Sequence, residues 1–147
     1  MTTGVSTIDK TVDHTLSWVD DVTLELGDPD RAHGWIALRA VLHELRDLVD
    51  SDEAVQLAAQ LPMLLRGLFF EGWNPMRPVP PQRDRGVFLD AVQVRLGTSR
   101  VDAEDAARAV FSVLGRRLDG EAEQARGRLS ERIRELWPSR CDEVRPH

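Results

Sequence analysis

Hydrophobic positions recur along this chain at helical steps, and no alternating run of β-branched residues interrupts them. Leu16, Val19, Val22 or Thr23, and Leu26 predict a first helix that closes at Gly27, where a left-handed cap is wanted. Asp28 and Pro29 have the chemistry of an N-cap and a first helical residue, which places the second helix from Pro29 onward. Its apolar stripe is Trp35, Leu38, Leu42, Leu45 and Val49, with Val41 and Leu48 beside it. Arg39, His43, Arg46, Asp47 and Asp50 lie opposite. That pattern predicts a helix packed on one side, with His43 and Asp47 as a solvated pair one turn apart. Asp50 or Ser51 caps a third stretch, which Pro62 bends or splits before Met63, Leu64, Leu65, Leu68 and Phe69.

The pattern then returns. Trp18-Val-Asp-Asp-Val-Thr-Leu-Glu-Leu-Gly27 matches Phe88-Leu-Asp-Ala-Val-Gln-Val-Arg-Leu-Gly97, and Ala40-Val-Leu-His-Glu-Leu45 matches Ala109-Val-Phe-Ser-Val-Leu114. Leu61-Pro-Met-Leu-Leu-Arg-Gly-Leu-Phe69 likewise matches Leu129-Ser-Glu-Arg-Ile-Arg-Glu-Leu-Trp137. Three matches in order point to an internal duplication. The second set of helices is placed at Val87 to Gly97, Asp102 to Leu118 and Glu121 to Trp137. The expected fold is all-α, a helical bundle of two pseudo-symmetric three-helix halves within a single domain spanning 1–147. Its parts are a first repeat at 15–70, a Pro-rich linker at 71–85, a second repeat at 86–138 and a charged tail at 139–147. Glu71 to Arg85 holds four of the eight prolines, so extended backbone is expected there, as a stiff spacer or a mobile tether, and Trp73 within it argues for packing. Residues 1 to about 10 and the tail lack periodicity and are expected to fray.

A chain of 147 residues with 41% apolar and 30% charged residues suits one core with a solvated surface. The longest uncharged apolar-rich run, Ala54 to Leu65, is interrupted by Pro62 and falls short of the roughly 20 residues that span a bilayer, so no membrane segment is expected. The first residues lack a basic start followed by an apolar stretch, and Cys141 is the single cysteine. A cytoplasmic location is the expectation. Net charge is −6, with 14 acidic and 8 basic residues up to Arg85 and 11 of each after it, which disfavours nucleic acid as a partner. Arg116, Arg117, Arg126, Arg128, Arg132 and Arg134 are concentrated near the end, and the interleaved Glu121, Glu123, Glu131 and Glu135 predict intrahelical pairing.

Candidate chemistry is sparse. His14, His33, His43 and His147 form no ligand motif, so no metal and no cofactor are expected, and no catalytic residue is assigned. Asp20-Asp21 and Asp52-Glu53 are explained by helix capping and the helix dipole. Arg66 to Trp73 joins a cation, two glycines, three aromatics and Glu71 at the junction of the halves. Arg66, Glu71 and Trp73 are therefore the candidate ligand-binding residues, should the junction hold a ligand. Their structural roles would be an aromatic seal and an Arg66 that pairs with Glu71 or caps carbonyls.

Leu57-Ala-Ala-Gln-Leu-Pro-Met-Leu-Leu-Arg-Gly-Leu-Phe-Phe-Glu-Gly-Trp73, with Ala37-Leu-Arg-Ala-Val-Leu-His-Glu-Leu-Arg-Asp47 upstream and Ala106 to Trp137 downstream, resembles the family called domain of unknown function 2267. The resemblance covers about residues 15 to 138. Leu48 departs from it, standing where a second arginine is expected, so no ligand role is carried over to that position. The resemblance implies a small helical, cytoplasmic, prokaryotic protein and supplies no activity, cofactor or catalytic residue. The functional expectation is a non-catalytic interaction or regulatory binding module, engaging a protein partner or a second copy of itself. The alternative is a small-ligand sensor or enzyme with its site at the junction.

Overall fold

A computed structural model describes residues 2–81 and 84–137. Met1, Gln82, Arg83 and the tail from Pro138 onward, with Cys141 and His147, lie outside the described residues. Every regular element among the described residues is a helix, and none is long and apolar enough to cross a membrane.

Helix α1 (Ser6–Leu26) starts inside the stretch expected to fray. Asp9 in its first turn accepts from the Thr3 N–H and hydroxyl at 2.8 and 2.9 Å, which ties the chain down before the helix begins. It ends at Gly27 as the sequence predicts. Gly27 has φ 66° and ψ 28°, and its N–H and that of Asp28 reach back to Leu24 O and Thr23 O. Helix α2 (Arg31–Leu48) begins two residues later than expected, because Asp30 is the cap and accepts from Ala32 N. Asp28 instead accepts from the Asp30 N–H at 2.7 Å and pairs with His33 at 2.8 Å, so Pro29 sits in the turn. Gly34 permits the tight crossing of α1 and α2. A Cβ there would lie 1.9 Å from Thr23 Oγ1 and 2.9 Å from Val19 O.

Asp50 caps α3 (Ser51–Ala59) by accepting from Glu53 N, and Pro62 separates it from α4 (Met63–Phe70). Between α4 and the next helix the described residues form turns and stretches without regular structure, and Trp73 is partly buried against Phe70 at 5.0 Å between ring centres. Asp84 caps α5 (Arg85–Leu96), which ends at Gly97 with φ 62°. Asp102 caps α6 (Ala103–Gly127), and Ser130 caps the single turn of α7 (Glu131–Arg134).

Two expectations fail here. Helix α6 runs unbroken through Asp119-Gly120, where the sequence predicts a break. A glycine inside a helix costs about 1 kcal/mol, and the stripe Leu118, Ala122, Ala125 and Leu129, all buried, outweighs it. Helix α2 is not packed on one side. It touches α1, α4, α5 and α6, and Ala40 to Arg46 are buried without interruption. Helix α6 in turn packs on α1, α2, α3 and α5, so the buried side chains from both parts of the chain form one cluster.

Candidate functional site

Because α2 is enclosed, its polar residues must find partners inside the protein. The end of α4 supplies them. Its last turn carries no basic side chain, and the final carbonyls of a helix have no partner within it. His43 Nε2 lies 2.7 Å from Leu68 O, and Arg46 Nη1 donates to Phe69 O at 3.0 Å and Glu71 O at 2.7 Å. His43 and Arg46 are 3% and 4% exposed, which overturns the solvated reading of His43 and Asp47. Leu68 O can only accept, so Nε2 carries the ring's hydrogen. Burial pushes the imidazole down, the Leu68 bond opposes this, and the charges of Arg46, Arg95 and Arg39 add to the depression.

The network extends to the second part of the chain. Asp47 accepts from Arg46 Nε at 3.0 Å and from Arg95 of α5 at 3.4 Å, while Arg95 Nε also lies 3.2 Å from Glu44 Oε2. Arg77, from the proline-rich stretch, approaches Asp47 at 3.9 Å. Above Arg46 and Asp47, a cavity of about 20 Å³, room for one water, is lined also by Ser51, Trp73 and Asn74. The stretch His43-Glu44-Leu45-Arg46-Asp47 therefore joins α2, α4, α5 and the connecting segment. Sequence reasoning missed it, since a helical wheel places charges but not the elements that surround them. The available signal was a last turn of α4 without a basic residue to hold its carbonyls.

The three candidate residues have separate partners. Arg66 caps α3, donating to Ala58 O at 3.1 Å, Leu61 O at 3.1 Å and Ala59 O at 3.4 Å. Glu71 pairs with Arg39 at 2.6 Å, and that guanidinium holds its carboxyl below the usual carboxylate value. Trp73 packs on Phe70. Of the three, Glu71 alone lines the groove of about 440 Å³ between α1, α2 and α4, whose walls are Thr11, Trp35, Met63, Leu64, Gly67 and Leu68. The Leu64 N–H donates to Thr11 Oγ1 at 2.9 Å, which fixes α4 against α1 at one end of this groove.

Arg116, Arg117, Arg126 and Arg128 have partners in other parts of the chain. Arg117 bonds Asp21 at 2.9 Å and Ser17 at 2.7 Å and lies over the Trp18 ring at 5.1 Å. Arg116 reaches Glu25 at 2.8 Å, Arg128 reaches Asp50 at 3.2 Å, and Arg126 donates to Trp137 O at 2.6 Å. The acidic face of α1 thus takes up charge that the sequence assigned to neighbouring glutamates. Asp20 pairs with Arg31 at 2.8 Å, so Asp20 and Asp21 are both inter-element anchors rather than dipole partners.

A family model described as "Uncharacterized conserved protein (DUF2267)" matches residues 15–136, and the chain belongs to that family. Comparison with curated proteins finds no match.

Proposed function

We propose that this DUF2267 chain is a non-catalytic binding module whose contact surface is the groove between α1, α2 and α4. The observation that carries this reading is a contrast in partners. His43, Arg46 and Arg66 are engaged with backbone carbonyls and Glu71 with Arg39, whereas Met63 and Leu64 stand 59% and 47% exposed at the groove. Exposed apolar surface of this kind marks an interaction site. A Cβ added to Gly67 would meet nothing within 4 Å, so a second backbone has room to approach α4 closely, and methionine adapts to varied apolar shapes. These features fit the apolar face of an amphipathic helix supplied by a protein partner.

Gly67→Trp tests the reading, because it fills the groove without touching the core. Wild type should bind the apolar dye 8-anilinonaphthalene-1-sulfonate and retain a helical partner from lysate. The variant should lose both with its melting temperature kept. Sedimentation equilibrium identifies a second copy as the occupant if wild type dimerises and the variant does not. Equal dye binding, retention and association state in the two proteins would remove the groove from consideration. The small-ligand alternative has Glu71 on the groove edge in its favour, and it requires Glu71→Gln or Arg66→Ala to abolish ligand retention at unchanged stability.

The internal duplication belongs to the same reading. In its support, α1 and α5 both end at a glycine with positive φ, and each packs on the long second helix of the other part, α1 on α6 and α5 on α2. Superposing residues 16–69 on 86–137 should place Leu26 on Leu96 and Leu45 on Leu114.

A further inference from the structure

Away from the α2–α4 joint, two carboxyl groups lack the partners that buried charge requires. Glu53, in the first turn of α3, is 4% exposed, and its Oε1 has neither solvent nor a hydrogen bond. Glu121 Oε2, on α6, is in the same condition. Helices α3 and α6 pack on each other, and the residues following the two glutamates, Ala54 and Ala122, are both buried. An orphaned buried carboxylate oxygen carries its desolvation cost uncompensated. Two of them within one helix contact call for a common explanation.

Sequence supplies a second, independent link. The match of Leu61–Phe69 with Leu129–Trp137, carried back at the same offset, sets Leu57 on Ala125, Ala54 on Ala122 and Glu53 on Glu121. This correspondence rests on the proposed duplication, whereas the burial of the two oxygens does not. The surrounding charges are few. From α6 come Glu121 and Arg128, and from the α2–α3 junction Asp50, which already holds Arg128 at 3.2 Å. From α4 comes Arg66, whose guanidinium is spent on carbonyls at the far end of α3. Burial pushes the Glu53 carboxyl up, the charges of Glu121 and Asp50 push the same way, and Arg128 opposes them.

We propose that Glu53 carries a proton while α3 is seated on α6, so that the contact of the two helices is a proton-operated latch. The proton comes from solvent and returns to it. While it is bound, the buried Glu53 side chain is uncharged. When it leaves, a charge appears on a side chain 4% exposed, opposed by the charges of Glu121 and Asp50. Helix α3 is the element able to yield. It is a nine-residue helix bounded by Asp50 and by Pro62, and its Ser51 borders the small cavity over Arg46 and Asp47. The neutral form of Glu53 is favoured in the fold. This contribution is therefore present at low pH and is lost as pH rises through the elevated Glu53 value.

The test is a ¹³C titration of the glutamate carboxyls in the full chain, with amide exchange across α3 measured over the same pH range and corrected for intrinsic rates. In wild type Glu53 should titrate above the ordinary glutamate range, and protection of α3 should fall as it ionises. Glu121→Gln should bring the Glu53 midpoint down, and the double variant Glu53→Gln/Glu121→Gln should keep α3 protected at every pH. A Glu53 midpoint in the ordinary range, or one unmoved by Glu121→Gln, overturns the proposal. The wild-type titration decides the matter even if a variant fails to fold. An elevated Glu53 midpoint in halves that do not superpose would keep the latch and remove the duplication, and superposing halves with an ordinary Glu53 midpoint would do the reverse.

Discussion

The joints at the ends of α4 and α7 solve one packing problem with different chemistry. At the first, His43 and Arg46 of α2 hold the α4 carbonyls in a buried polar network. On the proposed duplication, the offset that sets Leu45 on Leu114 puts Ser112 and Gly115 of α6 at those places. There Trp137 stacks on Phe111 at 4.6 Å and Phe111 on Phe88 at 6.1 Å, and a Cβ added to Gly115 would sit 3.5 Å from Trp137 Nε1. Removing the side chain makes room for an indole, and a single bond from Arg126 to Trp137 O replaces the paired donors. A directional, titratable joint thus stands beside a non-directional, apolar one. The first fixes orientation through directed hydrogen bonds, and the second mainly through packed volume.

The largest effect should come from emptying the apolar joint. Trp137→Ala, at a site 1% exposed, should cost about 3–5 kcal/mol. Urea denaturation should return the same loss at about pH 8 and pH 5, since no titratable group shares that stack. Arg46→Ala should cost about 3 kcal/mol by taking one donor from Asp47 and the arginine donor from two carbonyls. Amide exchange should localise the damage to the last turn of α4. If Arg46→Ala melts like wild type, the polar joint is ornamental and the comparison fails.

A smaller effect separates the joints by pH. His43 lies below its ordinary value of 6.5, so the unfolded chain takes up its proton first. The stability contributed by the neutral ring is present above 6.5 and is lost as pH falls below it. His43→Gln, which keeps a donor for Leu68 O, should flatten that loss. Glu53 slopes the opposite way, so the informative quantity is the difference between wild type and variant in thermal melts from about pH 8 to pH 5. The smallest effect concerns the uninterrupted α6. Gly120→Ala should stabilise the protein by up to about 1 kcal/mol, because the residue is helical and an added Cβ meets nothing. A destabilised variant would mean that the chain turns there, as it does at Asp50.

Much of the fold was legible in the residues alone. The glycine that ends α1, Asp50 as one of two residues expected to cap α3, and the split at Pro62 are local signals, each written within a few neighbouring positions, whereas the all-helical class and the family are patterns along the whole chain. The site was less legible. Arg66 as a carbonyl cap was foreseen as one of two roles, and the packing of Trp73 was expected. By contrast, the charged residues of α2 were assigned to solvent, and Glu53 to a helix dipole.

Those failures share a physical cause. A helical period reports how residues are distributed around one axis, and it fixes the direction of each side chain relative to that axis. Burial depends on how many other elements close around it. Helix α2 is enclosed by α1, α4, α5 and α6, two of which come from the far part of the chain, so the fate of His43, Glu44 and Arg46 was decided only on assembly. The same holds for Glu53, whose helix alone would leave it in water and which the arrival of α6 shuts away beside Glu121. Local sequence determined which segments are helical and where most of them stop. Tertiary contact determined which charges lost their water, and with it which of them act as structural donors and which can act as a proton store.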